Sequence, residues 1–309
     1  MTYNQLLNRC LALLEEEGPQ AALELLQSQK GQLQNFNDAQ LYNFAYCLEA
    51  LAGRTDRAMG LLQEAVYHKG YWYDYEYLME DEDLEELRQH TAFEQIANLC
   101  RQRQQAAQAA AKPQMQLQDV QAGKPVVMVL HGDQQNAQIT APYWQQVKQL
   151  GYGLAAIQST ELQVSDGYLW DDEEQAAKQI AAHWQSLQEQ GVDVQNSILG
   201  GFSSGARACL YAVLSKAVQP KGLILVAPWL PELEEWAEQL EALKQAGTAV
   251  YICCGDADED CFEGSERLFE LLDEAGIEVD FKLCPDLDHD YPENFDQLLG
   301  EAIGFVKGE

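Results

Sequence analysis

Basic side chains are scarce in this sequence. Its 309 residues contain 19 lysines and arginines against 50 aspartates and glutamates, so the formal net charge is −31. The phosphates of a nucleic acid would repel such a chain, and an anionic membrane surface would repel it for the same reason. We therefore expect no nucleic-acid partner and attribute most of the acidic excess to solubility.

Long apolar runs and paired cysteine motifs are also missing. No uninterrupted hydrophobic stretch approaches the length of a membrane span, and the first residues carry no secretion signal. The eight cysteines are scattered without a CxxC pair, which is typical of reduced thiols rather than of a disulfide framework or a zinc site. These absences predict a cytoplasmic protein that has no membrane span and binds no metal.

The first hundred residues have the periodicity of helices, with apolar side chains recurring at spacings of three and four. Within them, residues 41–70 resemble a tetratricopeptide repeat, in which Tyr42 takes the early aromatic position and Leu62 an apolar position of the second helix. Tyr46 and Gly70 depart from the repeat, which usually has glycine and proline at these positions. The pattern predicts an all-α domain of tetratricopeptide type.

Composition and period divide the sequence into three segments. Residues 1–104 form the helical domain, residues 105–122 are a linker rich in glutamine and alanine, and residues 123–309 have a different pattern. About two repeats are fewer than a free-standing array needs. We expect the helical domain to act as a lid, as a dimerisation element or as a module that binds a protein partner.

From residue 123 onward, short apolar runs alternate with amphipathic stretches. Continuous apolar strands joined by helices predict a mostly parallel sheet with helices on both faces. Ligand sites in such sheets lie beyond the carboxyl ends of the strands. The six predicted strands are Val126–Leu130, Leu154–Ile157, Ser197–Leu199, Leu223–Ala227, Ala249–Cys254 and Val279–Leu283.

One serine lies in a turn that is typical of a nucleophile. Ser203 directly follows a predicted strand and has Gly201 and Gly205 two residues away on either side. Small neighbours let the chain turn sharply between a strand and a helix, and the turn exposes the serine oxygen. Ser203 is therefore the candidate nucleophile of a hydrolase.

Two further candidates follow the ends of later strands. Asp258 comes after the fifth predicted strand and His289 after the sixth. Neutral imidazole accepts a proton near pH 7, so His289 is the candidate base for Ser203. Asp258 is the candidate acid that orients and stabilises the imidazole. Other aspartates nearby are Asp256, Asp260, Asp286 and Asp288.

Attack by a serine on a carbonyl group also needs an oxyanion hole, which is commonly built from two backbone amides. We expect one amide from Ser204, at the start of the helix that follows the sharp turn. The other should come from Asp133 or Gln134, in the loop after the first predicted strand.

Residues from about 124 to 306 resemble the α/β-hydrolases of the carboxylesterase, phospholipase and acyl-thioesterase branch. The order serine, acid, histidine is that of the family. Ser204 stands where many relatives have glutamine, which affects the shape of the substrate pocket rather than the backbone amide. The motifs that carry the resemblance are Leu130-His131-Gly132, Gly201-Phe202-Ser203-Ser204-Gly205, Gly255-Asp256-Ala257-Asp258 and His289-Asp290-Tyr291-Pro292.

The resemblance implies an α/β hydrolase fold, preceded by the all-α domain. It implies cleavage of a small-molecule carboxylic ester or thioester through an acyl-enzyme intermediate, without a cofactor. His131, Gly132 and Trp170 are expected near the substrate pocket. Two alternatives stay open at this point: a serine peptidase resembling the prolyl oligopeptidases, and a non-catalytic adaptor that binds proteins through its repeats.

Overall fold

The computed structural model describes residues 1–309, and the chain divides into two compact units. The helical unit contains Met1–Lys112 together with Thr160–Tyr168, and the sheet unit contains Pro113–Ser159 together with Leu169–Glu309. Each unit is therefore assembled from two separate stretches of the chain.

Helices and strands follow one another along the chain as α1 (Tyr3–Glu16), α2 (Pro19–Gln29), α3 (Asp38–Leu51), α4 (Thr55–Gln63), α5 (Tyr75–Glu80), α6 (Glu85–Arg88), α7 (Phe93–Ala110), β1 (Gln114–Gln118), β2 (Val126–Leu130), α8 (Ala137–Thr140), β3 (Gly153–Gln158), β4 (Glu161–Val164), β5 (Gly167–Leu169), α9 (Glu173–Glu189), β6 (Ile198–Phe202), α10 (Ser204–Leu214), β7 (Gly222–Val226), α11 (Leu233–Trp236), α12 (Glu241–Ala246), β8 (Ala249–Gly255), α13 (Phe262–Glu274), β9 (Val279–Cys284) and α14 (Phe295–Lys307). None of these helices combines the length and the apolar character that a membrane crossing requires.

In the helical unit, α1 packs against α2 and α3 packs against α4. Thr2 and Gln5 form a capping box at the start of α1, and Asn37 accepts a hydrogen bond from the backbone N–H of Ala39 at the start of α3. Such caps satisfy backbone groups that the first turn of a helix leaves unpaired. The all-α region that the sequence predicts is confirmed.

A β-hairpin from the middle of the chain completes the helical unit. Strands β4 and β5 pair with each other, and three hydrogen bonds join Ser165, which lies between them, to the Trp72 backbone, one of them from Ser165 Oγ to the Trp72 carbonyl at 3.2 Å. The Trp72 N–H donates to Ser165 Oγ at 2.7 Å, and the Ser165 N–H donates to the Trp72 carbonyl at 3.1 Å. Asn37 Nδ2 also donates to the Ser165 carbonyl at 2.9 Å, and Val164 is buried in the core of the helical unit.

Residues 105–122, expected to form a linker, have regular structure over much of their length. Helix α7 continues to Ala110, because alanine and glutamine are good helix formers. Pro113 then prevents further helix. The next residues form β1, which pairs antiparallel with β3 at the edge of the sheet, with Gln114 opposite Gln158.

The sheet unit has seven strands in the order β1-β3-β2-β6-β7-β8-β9. Every neighbouring pair is parallel except β1 with β3. Side chains along β2 alternate between two cores: Met128 and Leu130 belong to one, and Val127 and Val129 to the other. The mostly parallel sheet with a core on each face is thus confirmed.

We expect Ser165→Ala to lower the free energy of unfolding by about 1–3 kcal/mol, because the buried Trp72 N–H loses its acceptor. Urea-induced unfolding measures the loss. Ser28→Ala is the matched control, since the exposed Ser28 hydroxyl binds only the carbonyl of Leu25 in its own helix, and its effect should stay within about 0.5 kcal/mol. Equal effects of the two substitutions would contradict the role assigned to the hairpin.

Candidate active site

The loops that carry His131, Gly132 and Ser203 lie at the point where the strand order of the sheet reverses. Strands β2 and β6 are neighbours, but β3 lies on the far side of β2 and β7 on the far side of β6. Such a switch point opens a crevice at the carboxyl ends of the two strands, where ligands bind in open α/β sheets. His131 and Gly132 follow β2, and Ser203 follows β6. Their loops therefore border this crevice.

Ser203 has a strained backbone that only a tight turn maintains. Its φ is 55° and its ψ is −123°, in a region that residues with a side chain rarely adopt. The Ser203 N–H donates to the Val226 carbonyl at 3.0 Å. A Cβ on Gly201 would lie 2.5 Å from the backbone of Gly205, and one on Gly205 would lie 2.3 Å from the carbonyl oxygen of His131. Both positions therefore require glycine, because a side chain at either one would collide with a neighbouring backbone.

A continuous chain of hydrogen bonds joins Ser203, His289 and Asp258. His289 Nε2 lies 3.0 Å from Ser203 Oγ, and His289 Nδ1 lies 2.8 Å from Asp258 Oδ2. Asp258 is fully buried, and its second oxygen accepts the backbone N–H of Cys261 at 3.1 Å. The neighbouring Asp256 instead accepts a backbone N–H from the His289 loop at 2.7 Å. Of the nearby aspartates, Asp258 is thus the one hydrogen-bonded to the imidazole.

The surroundings of His289 favour its protonated form. Burial alone would lower the pKa of the ring, but the hydrogen bond and negative charge of Asp258, helped by Asp260 and Asp290, raise it above the ordinary value. With Asp258 accepting at Nδ1, the neutral ring presents an unprotonated Nε2 to Ser203. This is the tautomer that can accept the serine proton.

Ser204 and Asp133 lie together beside Ser203. Ser204 is the first residue of α10, so its backbone N–H has no acceptor within the helix, and its Oγ donates a hydrogen bond to Asp133 Oδ1. A Cβ on Gly132, which precedes Asp133, would lie 3.3 Å from the Cβ of Ser203. Gln134 follows in the same loop with a φ of 56°. The loop after β2 and the start of α10 therefore meet at the serine.

His131 and Trp170, expected at the substrate pocket, are fully buried instead. Their ring centroids are 5.0 Å apart, and Trp170 Nε1 donates to the His131 carbonyl at 3.0 Å. Burial lowers the pKa of His131 to about 4, so the ring is neutral near pH 7. Large side chains pack more favourably inside the protein than against solvent. The pair therefore supports the loop after β2 from within, and Gly132 is the member of the predicted set that lies against Ser203.

Two family models match this chain. Residues 2–108 match the model described as A/B hydrolase-like, N-terminal domain, and residues 168–305 match the Phospholipase/Carboxylesterase model. An uncharacterized protein from Bacillus cereus ATCC 10987, known from its crystal structure, is 39% identical over 100% of this chain and 99% of its own, with a TM-score of 0.58. The chain is an α/β-hydrolase of the phospholipase/carboxylesterase family. No curated protein matches it.

Other solved hydrolases share the fold of the sheet unit. A carboxylesterase from Bacillus cereus is 21% identical over 64% of this chain and 95% of its own, with a TM-score of 0.51. A phospholipase/carboxylesterase from Dyadobacter fermentans DSM 18053 is 18% identical over 62% of this chain and 97% of its own, with a TM-score of 0.50. These likenesses show the fold alone, whereas the family assignment identifies the protein as an ester-hydrolysing α/β-hydrolase.

A buried arginine of the hydrolase joins segments that are distant in sequence. Arg207 in α10 binds both carboxylate oxygens of Glu232 at 2.8 Å and one of Glu173 at 2.8 Å. Its guanidinium also lies 5.3 Å from the ring centroid of Trp229. The planar fork of arginine suits such two-point binding. The sequence signal for this cluster is a single positive charge in an otherwise apolar helix. No comparable signal marks Glu173 and Glu232 as its partners.

Asp258, Cys261 and His289 of the hydrolase also present three potential metal-ligating atoms within 4.8 Å of one another. Two of these atoms, on Asp258 and His289, already bind each other at 2.8 Å. Burial raises the pKa of the Cys261 thiol, so the thiolate that a metal would need is disfavoured. The three residues fit the hydrogen-bond chain better than a metal site.

We expect Gly205→Ala to reduce both stability and ester hydrolysis. The new methyl group would overlap the His131 carbonyl and displace the start of α10, with a loss of about 1–3 kcal/mol in unfolding free energy. A misplaced serine should lower kcat/KM for an ester by about 100-fold. Gly300→Ala in α14 is the control, since its Cβ would meet no atom within 4 Å. Wild-type activity in Gly205→Ala would contradict the close-approach argument.

Proposed function

We propose that this hydrolase cleaves a carboxylic ester or thioester with Ser203 as nucleophile, His289 as base and Asp258 as the acid that orients the base. The observation that carries the proposal is the unbroken chain of contacts from Ser203 Oγ to His289 Nε2 at 3.0 Å and from His289 Nδ1 to Asp258 Oδ2 at 2.8 Å. These distances are within the range needed for direct proton transfer.

The reaction has two halves with the same base. In the first, Ser203 Oγ attacks the carbonyl carbon while His289 Nε2 takes its proton, and the imidazolium then protonates the leaving alkoxide or thiolate. In the second, His289 takes a proton from water as the water attacks the acyl-serine, and returns it to Ser203 Oγ when the acid leaves. The net reaction adds one water to an ester or thioester and gives an acid and an alcohol or thiol.

Negative charge forms on the carbonyl oxygen in both halves. We assign its stabilisation to the backbone N–H of Ser204 and that of Asp133, with Gln134 as the alternative in the same loop. The hydrogen bond from Ser204 Oγ to Asp133 Oδ1 supports the first pairing, because it holds the two residues side by side. The amino end of α10 adds the favourable end of a helix dipole at the same place.

A fluorescent fluorophosphonate tests the nucleophile. Wild-type protein should be labelled, and Ser203→Ala should lose the label together with all esterase activity. Ser215→Ala is the matched control, because Ser215 is exposed at the far end of α10 and should change neither readout. Labelling that survives in Ser203→Ala would overturn the assignment. A panel of 4-nitrophenyl esters and acyl thioesters, differing in leaving group, then ranks the two substrate types.

The pH dependence of kcat/KM tests the base. Because His289 must be neutral to accept a proton, activity should be low in acid and rise as pH passes its pKa, which lies above the ordinary 6.5. Asp258→Asn removes the carboxylate that contributes most to raising this pKa, while Asp260 and Asp290 remain, so the rise should move to lower pH, and kcat should fall by about 10⁴-fold. An acid limb that does not move in Asp258→Asn would contradict the assigned roles.

A further inference from the structure

The side chain of Asp133 places a carboxylate beside the proposed nucleophile. Its loop follows β2, and the preceding Gly132 approaches Ser203 so closely that a Cβ there would lie 3.3 Å from the serine Cβ. Asp133 is exposed to solvent, yet one of its oxygens accepts the hydroxyl of Ser204. Its charge also lies close enough to His289 for each to influence the other. A substrate at Ser203 would therefore contact this carboxylate or lie next to it.

No basic side chain neutralises Asp133 through a salt bridge. The nearby cation is Arg207, whose guanidinium is bound by Glu173 and Glu232 at 2.8 Å each. Two carboxylates on one guanidinium leave this cluster with a net negative charge. Desolvation and the charge of Asp171 raise the pKa of Asp133, against opposing effects of Ser204, Arg207 and His289. Arg207 and His289 thus compensate the carboxylate only in part, because the net shift of its pKa is upward and no salt bridge neutralises it.

A carboxylate at this position opposes the proposed reaction of a neutral ester. The transition state places negative charge on the carbonyl oxygen, and a second negative charge close by raises its energy. A positive group on the substrate would remove this penalty and form an ion pair with Asp133. An anionic substrate would meet repulsion both here and from a chain of net charge −31.

Resting on the proposed function, we propose that the hydrolase acts on esters or thioesters that carry a cationic group, such as an ammonium, close to the scissile bond, and that Asp133 recognises this group. Opposite charges interact strongly within about 4–6 Å. The cation therefore lies in the acyl or the leaving part within a few bonds of the carbonyl carbon. Asp133 then has two roles, with its backbone facing the oxyanion and its carboxylate facing the cation.

Ester pairs in which one member carries a positive charge test the proposal, once the rate for each ester is divided by its uncatalysed hydrolysis rate. In the first pair, acetylcholine carries the charge in its leaving alcohol, and 3,3-dimethylbutyl acetate is its neutral counterpart. In the second pair, alanine methyl ester carries the charge in its acyl part, and N-acetylalanine methyl ester is its neutral counterpart. At low ionic strength, we expect wild-type kcat/KM to favour the cationic member of at least one pair by about tenfold or more. Added salt should shrink this ratio, because it screens exposed charges.

Asp133→Asn is the decisive variant. It keeps the backbone amide, the side-chain size and an oxygen that can accept the Ser204 hydroxyl, and it removes only the charge. The preference for the cationic ester should fall towards one, and kcat/KM for the neutral ester should rise. Asp273→Asn is the control, because it removes one exposed negative charge on α13, outside the site, and should leave the ratio unchanged.

Each outcome decides between the inference and the function on which it rests. A wild-type ratio near one in both pairs, or a preference that persists in Asp133→Asn, overturns the inference while hydrolysis of the neutral esters upholds the proposed function. A loss of preference in both aspartate variants assigns it to net charge and also overturns the role of Asp133. Absence of hydrolysis of all four esters, together with no fluorophosphonate labelling of Ser203, overturns the proposed function and the inference together.

Discussion

The geometry of the site depends on how closely helix α10 approaches the end of strand β2. At Gly205, a side chain would begin 2.3 Å from the carbonyl oxygen of His131 and 2.9 Å from that of Leu130. Only glycine allows the backbones to meet at this distance. The approach brings the first turn of the helix, the strained Ser203 and the Asp133 loop into hydrogen-bonding range. Backbone packing, rather than any side-chain contact, therefore determines where the serine oxygen lies.

Helix α10 also anchors the loops around the site through Arg207. The arginine lies one helical turn beyond Ser203, and its guanidinium holds Glu173 at the start of α9 and Glu232 just before α11. A buried guanidinium without partners would be strongly destabilising, so each carboxylate has a substantial energetic reason to stay in place. The helix that begins beside Ser203 thereby holds both of these segments in place. Small shifts of those segments would be transmitted to the helix directly.

Most of the sheet unit could be predicted from local patterns. Every parallel strand except β9, in which Asp280 and Lys282 alternate with apolar residues, is a short apolar run. Ser203, Asp258 and His289 each follow the end of a parallel strand, so a parallel topology alone brings them to one edge. The hydrogen bonds between them are consistent with that expectation. Composition was a poorer guide around Pro113, where an alanine- and glutamine-rich stretch suggested a linker although the same residues favour helix.

Contacts between distant segments had no such signal. The pairing of Asp133 with Ser204 spans 71 residues, and that of Ser165 with Trp72 spans 93. Neither periodicity nor a motif marks a residue for a partner so far along the chain. The burial of His131 could not be predicted from the sequence either. The residue belongs to a recognisable motif, but nothing in the neighbouring sequence shows that its ring packs inside the protein rather than against a ligand.

The return of the chain to the helical unit has a consequence for biosynthesis. When Met1–Lys112 has emerged from the ribosome, the helices still lack the hairpin that binds the Trp72 backbone and supplies Val164 to their core. The N-terminal part stays incomplete until synthesis reaches Tyr168, after the strands β1 to β3 have also emerged. The two units therefore cannot fold one after the other, because the first needs a segment that is synthesised in the middle of the second. Contacts that close such long loops also form slowly. A ribosome pause before Thr160 would prolong the exposure of an unfinished apolar surface.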